Sequence, residues 1–197
     1  TTLTENFRMR ADDPDGSQIL QMAQNIRTGQ SLRPDSLTQV DQIEDVLWRG
    51  VECLREATLK SLARAWYTRF VAPAHRRGPA TISADDELET IFKVMESSRL
   101  LCATRHGPGG VDDWNLRLHS IHAQATQTSA RDPFVPGDPV MMTKNDYQRN
   151  LFNGDQGLVV QRRDHETERL YAVFRDASGF RSFLLDGLRE HLELCYA

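Results

Sequence analysis

The residues best suited to chemistry stand in two small groups. Lys144, Asn145 and Tyr147 place a cation, an amide and an aromatic ring within four positions. Such a set suits a nucleic-acid surface, where rings stack on bases at roughly 1–3 kcal/mol each and cations meet phosphates. Asn145-Asp146 read equally well as a plain turn. The second group is the segment from Ala57 to Ala84, which carries Lys60, Arg64, Arg69, Arg76 and Arg77 and no acid. Its charge of +5 stands within a chain of −4 and includes Trp66 and Tyr67, which suggests docking to DNA phosphates or to an acidic partner. A solvated helix face is the plainer account. His106, His119 and His122 have no Cys or carboxylate at ligand spacing, so packed or solvated histidines are expected and no metal site. The acids are scattered, and no Ser-His-Asp or Cys-His arrangement emerges.

These residues need a scaffold. The chain has 197 residues, 39% hydrophobic and 26% charged, enough for one or two small domains of ordinary globular composition. No apolar run approaches the roughly 20 residues of a membrane span, and no secretory leader is recognisable. Cys53, Cys102 and Cys195 are odd in number and widely spaced, as expected of reduced thiols in a cytoplasmic protein. The chain opens on Thr1 and is expected to be a piece of a longer protein.

Periodicity supplies the elements. GSQILQMAQNIRTG sets Ile19, Met22, Ala23 and Ile26 on one helical face, with Gly29 where the helix stops. A second helical region is expected from Val40 to about Val71, broken by Pro73, Gly78 and Pro79. Ser83 with Asp86 and Glu87 is a capping signal for ELETIFKVMESS. RLLCATR reads as a short buried strand, and the turn at 107–110 leads into the helix VDDWNLRLHSIHAQA. After Arg131, the runs DPVMMTK, GLVVQRR, LYAVFRD and FRSFLLD predict short strands forming a small barrel or curled sheet. Asn153-Gly154 is expected to form a tight hairpin turn with positive φ. REHLELCYA reads as a further strand.

Four blocks resemble the alpha subunit of exodeoxyribonuclease V, the RecD family of superfamily 1 helicases. They are LTENFRMRADDPDGSQILQMAQNIRTGQ, RLLCATRHGPGGVDDWNLRL, GDPVMMTKNDYQRNLFNGDQGLVV and LREHLELCYA, with residues 30–95 similar only in helical character. The third is the most specific, because its GxPVM, ND and NGDxG elements keep the family's order and spacing. The resemblance implies an α/β fold: part of a RecA-like motor domain (2A) over 1–130, an inserted SH3-like barrel (2B) over 131–188, and a return toward the motor domain over 189–197. It implies that Arg8 stabilises charge on the γ-phosphate of ATP. It implies that Thr104, Arg105 and Asn115 meet single-stranded DNA. For the parent it implies ATP and Mg²⁺ as cofactors, unwinding of DNA in double-strand break repair and recombination, and beta and gamma partner subunits. Two rivals are a stand-alone SH3-like DNA- or protein-binding module and a free-standing RecD-like helicase.

These 197 residues contain no GxxxxGK[ST] loop to cradle nucleotide phosphates. The chain by itself is therefore expected to release no phosphate from ATP above background, even with saturating single-stranded DNA. Turnover that follows the protein peak through repurification would overturn this.

Overall fold

The computed structural model describes residues 13–30, 37–75, 85–164, 167–177 and 179–197. The chain divides into two compact units, Thr1–Leu62 and Ala63–Ala197. Arg8, Ser83, Arg76 and Arg77 lie outside the described residues.

In the first unit, α1 (Pro14–Arg27) forms where periodicity placed a helix. The Asp13 carboxylate caps it by accepting the Gly16 amide at 3.0 Å, and Pro14 occupies a first-turn position where no amide is needed. The helix expected from Val40 is replaced over its first part by β1 (Thr38–Val40) and β2 (Glu52–Leu54), which pair in parallel. Backbone conformation explains the difference. Trp48 and Gly50 both hold φ of 58°, which no α-helix can contain. The Glu52 carboxylate fixes this crossover by accepting the amides of Leu47 and Trp48, each at 2.9 Å. Helix resumes only at α2 (Glu56–Trp66).

In the second unit, Tyr67–Val71 form a wide helical turn after Trp66. α3 (Asp85–Ser97) and α4 (Val111–Ala125) follow. RLLCATR, expected as a buried strand, is extended loop with Leu101 92% exposed. Its apolar run finds no neighbouring strand to pair with among the described residues, and an unpaired strand leaves its backbone groups to water.

The remaining chain is a five-stranded antiparallel sheet in the order β6-β5-β4-β3-β7. Its strands are β3 (Pro139–Met142), β4 (Gln156–Asp164), β5 (Thr167–Asp176), β6 (Gly179–Leu184) and β7 (Leu192–Leu194). Residues 189–197, placed by resemblance at a return to the motor domain, here supply β7. Alternation along β4 divides two apolar layers. Val159 faces Val140, Met142, Leu151, Ala172 and Phe174. Leu158 and Val160 face the other way, with Val173, onto Leu88, Ile91 and Phe92 of α3.

The expected closed barrel is corrected to an open sheet, because β6 and β7 do not pair. They are joined instead by short helical turns whose Leu185 and Leu188, each 1% exposed, plug the first core layer. That burial removes apolar surface without closing the hydrogen-bond ladder. Among the described residues no helix is long and apolar enough to cross a membrane.

Asn153-Gly154 do form a turn, but not the one expected. The amide of Asp155 reaches the carbonyl of Phe152 at 2.9 Å, and only Gly154 has positive φ, at 95°. This is a type II-like re-entry into β4 rather than the apex of the hairpin. The apex lies nearer Asn150 (φ 52°), inside the Asp146–Leu151 bridge. A Cβ at Gly154 would meet no atom within 4 Å, so any loss on substitution is purely backbone strain. Gly154→Val is expected to cost about 1–3 kcal/mol and lower the melting temperature, with Gly154→Asn costing less. Equal melting of Gly154→Val and the parent chain would refute the assignment.

Candidate nucleic-acid interface

The loop 143–155 between β3 and β4 carries Lys144, Asn145 and Tyr147. It is held from several sides. Leu151 is fully buried in the core. Asp146 and Leu151 exchange backbone hydrogen bonds of 2.7 and 3.0 Å. The Asp146 carboxylate accepts the Arg149 guanidinium and, at 3.0 Å, the Arg149 amide. Those two bonds hold the Asp146 carboxyl below its usual range. From β6, Arg181 donates one fork to the carbonyls of Arg149 (2.8 Å) and Asn150 (3.0 Å).

Asn145 is the internal strut of this loop. Its Nδ2 donates to the Tyr147 hydroxyl at 3.2 Å and its Oδ1 accepts the Asn153 amide at 2.8 Å. Outward stand Tyr147, 77% exposed, and Phe152, 42% exposed, with ring centroids 6.2 Å apart and planes at 79°. Lys144 is exposed and makes no ion pair among the described residues. The arrangement is a fixed aromatic edge-and-face pair beside a solvated cation. Phe152 was missed in the sequence because it directly precedes Asn153-Gly154, which were read only as a turn. Its signal is that it is a second aromatic residue in the stretch that carries Tyr147.

The loop 98–110 and α4 behave differently. Thr104 and Arg105 are exposed, and their carbonyls accept the amides of Val111 and Asp112, each at 3.1 Å. The Arg105 guanidinium is engaged by Glu193 at 2.5 Å. Asp113 accepts the Gly109 amide at 2.7 Å and the Arg117 side chain at 2.8 Å, and both lower its carboxyl. Two acids thus occupy the first turn of α4. Asn115 does not join Thr104 and Arg105 at the surface. It is 7% exposed, and its carboxamide donates to Leu194 O at 2.8 Å and accepts the amides of Tyr196 and Ala197, each at 2.9 Å. Its side chain ties α4 to the C-terminal segment.

Beside Asn115 lies a buried polar clasp that the sequence did not reveal. Asp138 is 0% exposed. Its carboxylate accepts the His119 Nδ1–H at 2.9 Å, the Val135 amide at 2.7 Å and the Tyr196 hydroxyl at 2.7 Å. His122, also fully buried, donates Nε2–H to the Pro136 carbonyl at 2.9 Å, so its Nδ1 accepts the Tyr67 hydroxyl at 3.0 Å. Burial and the nearby Asp138 charge push Tyr67 up to about 12 and Tyr196 well above the usual phenol range. Burial lowers His122, while burial and the nearby His122 lower His75 to about 3. The hydrogen bond to Asp138 raises His119.

The basic segment is described only in part. Lys60, Arg64 and Arg69 are exposed. Arg64 meets the Gln124 side chain at 3.3 Å, and the Arg69 guanidinium stands 5.6 Å from the Phe70 ring centroid. Among the described residues, no three His, Cys, Asp or Glu side chains converge as metal ligands. Cys195 is buried, whereas Cys53 and Cys102 are half-buried.

In sequence the chain is RecD-like. It is 33% identical over 170 residues to the RecBCD enzyme subunit RecD of Mycolicibacterium smegmatis, an alignment taking in 84% of this chain and 27% of that protein. RecBCD enzyme subunit RecD of Mycobacterium tuberculosis is 37% identical over 103 residues, 52% of this chain and 17% of that protein. The ATP-dependent RecD2 DNA helicase of Deinococcus radiodurans is 35% identical over 65 residues, 32% of this chain and 9% of that protein. The chain therefore spans just over a quarter of the Mycolicibacterium RecD. No family profile matches it.

The clasp makes stability depend on pH in a signed way. His122 and His75 have folded pKa values below the unfolded value of about 6.5. Each contributes stability that is present above about pH 6.5 and lost as pH falls toward its folded pKa, at up to about 1.4 kcal/mol per unit. His119 has the opposite sign: its contribution is present below about 6.5 and lost as pH rises through its raised folded pKa. Melting temperature is expected to fall as pH drops from 7 to 5, and His122→Gln is expected to flatten that fall. A variant whose melting tracks pH as steeply as the parent chain would show that His122 is not one of the neutral groups responsible.

Proposed function

We propose that the chain is part of an ATP-driven DNA helicase subunit of the exodeoxyribonuclease V type. In this reading the parent protein translocates on single-stranded DNA during double-strand break repair and recombination. It works in the cytoplasm with beta and gamma partner subunits. The similarity to RecD over 84% of the chain carries the reading. The loop at 143–155 supports it, because exposed, pre-positioned rings beside a free cation suit the bases and phosphates of a single strand.

Each side chain then has a distinct part. Tyr147 and Phe152 offer faces and edges to unstacked bases, Lys144 offers a point charge to a phosphate, and Asn145 positions Tyr147 without touching DNA. Thr104 borders the same strand from the 98–110 loop, while Asn115 acts only through the segment it ties down. In this reading ATP and Mg²⁺ are cofactors of the parent protein, since these 197 residues carry no GxxxxGK[ST] phosphate loop. Arg8 is this chain's proposed contribution toward the nucleotide.

The test is binding of the chain to a fluorescein-labelled single strand of thymidines, followed by anisotropy. Replacing Tyr147 and Phe152 together by Ala is expected to weaken binding by at least about tenfold, since each stacked base is worth roughly 1–3 kcal/mol. Undiminished affinity in a variant that melts normally would count against the loop as the interface.

A further inference from the structure

The β4–β5 hairpin is longer than the sheet that supports it. β3 reaches only Gln156–Leu158 of β4, and β6 reaches only Tyr171–Asp176 of β5. The stretch pairing Gln161 with Leu170 through Asp164 with Thr167 therefore projects as a two-stranded ribbon. Within it Arg162 and Arg169 sit directly opposite one another. Alternation puts both on the face of Val160 and Tyr171, with Cα atoms about 5 Å apart in such a pair.

Like charges in that relation repel and destabilise a ribbon. Other arginines around the sheet each meet a carboxylate: Arg149 has Asp146, Arg175 has Glu89 and Glu96, Arg181 has Asp176 and Arg189 has Asp186. Arg162 and Arg169 have no acidic partner among the described residues. Arg162 donates once, to the Ser182 hydroxyl at 2.8 Å, while its Nε is buried without a partner. Tyr171 follows two residues after Arg169 on the same face, about 6.6 Å along the strand. Leu184, opposite Tyr171, is 44% exposed.

We infer that this ribbon face is a second nucleic-acid contact, in which Arg162 and Arg169 take successive phosphodiesters of one strand and Tyr171 lies against the intervening sugar or base. Two adjacent guanidinium forks match a repeating anion, because a single carboxylate is satisfied by one fork and leaves the other uncompensated. A ring at strand spacing beside them fits the alternation of phosphate and base better than an acidic peptide does. This inference rests on the reading of the chain as part of a DNA motor. It adds a site distinct in sequence and in chemistry from the 143–155 loop.

The experiment titrates the 197-residue chain against a fluorescein-labelled 20-mer of thymidine across a salt series, with far-ultraviolet circular dichroism as the folding control. The Arg162→Gln/Arg169→Gln variant is expected to bind at least tenfold more weakly, with a log–log salt slope shallower by about 1.4 for two lost phosphates. Arg162→Lys/Arg169→Lys should restore most of the slope but not all of the affinity, since it returns charge without the fork. If the Gln variant keeps both affinity and slope while Tyr147→Ala/Phe152→Ala loses binding, the ribbon site is overturned and the loop interface stands. If the unaltered chain does not bind the 20-mer at all, the DNA reading fails with it. If the Gln variant instead loses binding only to a labelled polyglutamate, the face belongs to a protein partner and the inference is wrong.

Discussion

The second unit is organised around a carboxylate with no access to water. Asp138 stands at the mouth of β3, and its two oxygens draw in α4 through His119, the preceding turn through the Val135 amide, and the C-terminal segment through Tyr196. Burying an ionised carboxylate is costly unless its acceptor sites are filled, and leaving one unfilled costs about 1–3 kcal/mol. The three donors must therefore arrive together. Asn115 reinforces the arrangement by taking the backbone of Leu194, Tyr196 and Ala197. With the start of β3 and the end of β7 fastened together at one end of the pair, β3 runs between β4 and β7, and its register places the 143–155 loop.

That loop shows how a surface is made rigid without being buried. Its backbone is tied by Asp146, Asn145 and the fork of Arg181, and its one large buried residue is Leu151. The internal polar groups are thereby satisfied, which leaves the rings of Tyr147 and Phe152 and the Lys144 ammonium as the parts that face outward. Preorganisation of this kind lowers the entropy a ligand must overcome on binding. The arginines of the sheet follow a related logic. Arg175 is neutralised from α3, Arg181 from the neighbouring strand and Arg189 within its own turn, so the ribbon pair that has no acid among the described residues stands out by contrast.

Local signals made much of the architecture legible. α1 and α4 run where the 3.6-residue spacing placed them, and Asp13 caps where a capping residue should stand. The strand runs after Arg131 all became strands, because alternating β-branched and aromatic residues suit a sheet with two buried faces. The misreadings share a cause. RLLCATR has the composition of a strand but no partner strand among the described residues, and the residues from Val40 have helical spacing but pair in parallel over Thr38–Val40 and Glu52–Leu54. Asn115 carries a polar side chain that resemblance assigned to DNA, yet its nearest groups are backbone atoms about eighty residues further along the chain.

By itself the sequence determined α1, α3, α4, the strands after Arg131, the RecD-like resemblance and the presence of a ring and a cation near residue 145, because each depends on neighbours within a few positions. Tertiary structure alone decided that the sheet stays open, since that turns on Leu185 and Leu188 filling the core between unpaired edges. It alone decided that His119 and His122 are packed into a clasp with Asp138, Tyr67 and Tyr196, partners separated by up to 129 positions. And it alone set Arg162 against Arg169 and Phe152 beside Tyr147. Local spacing says which way a side chain turns from its own backbone. What it turns toward is settled by long-range pairing and burial, which no short window of sequence contains.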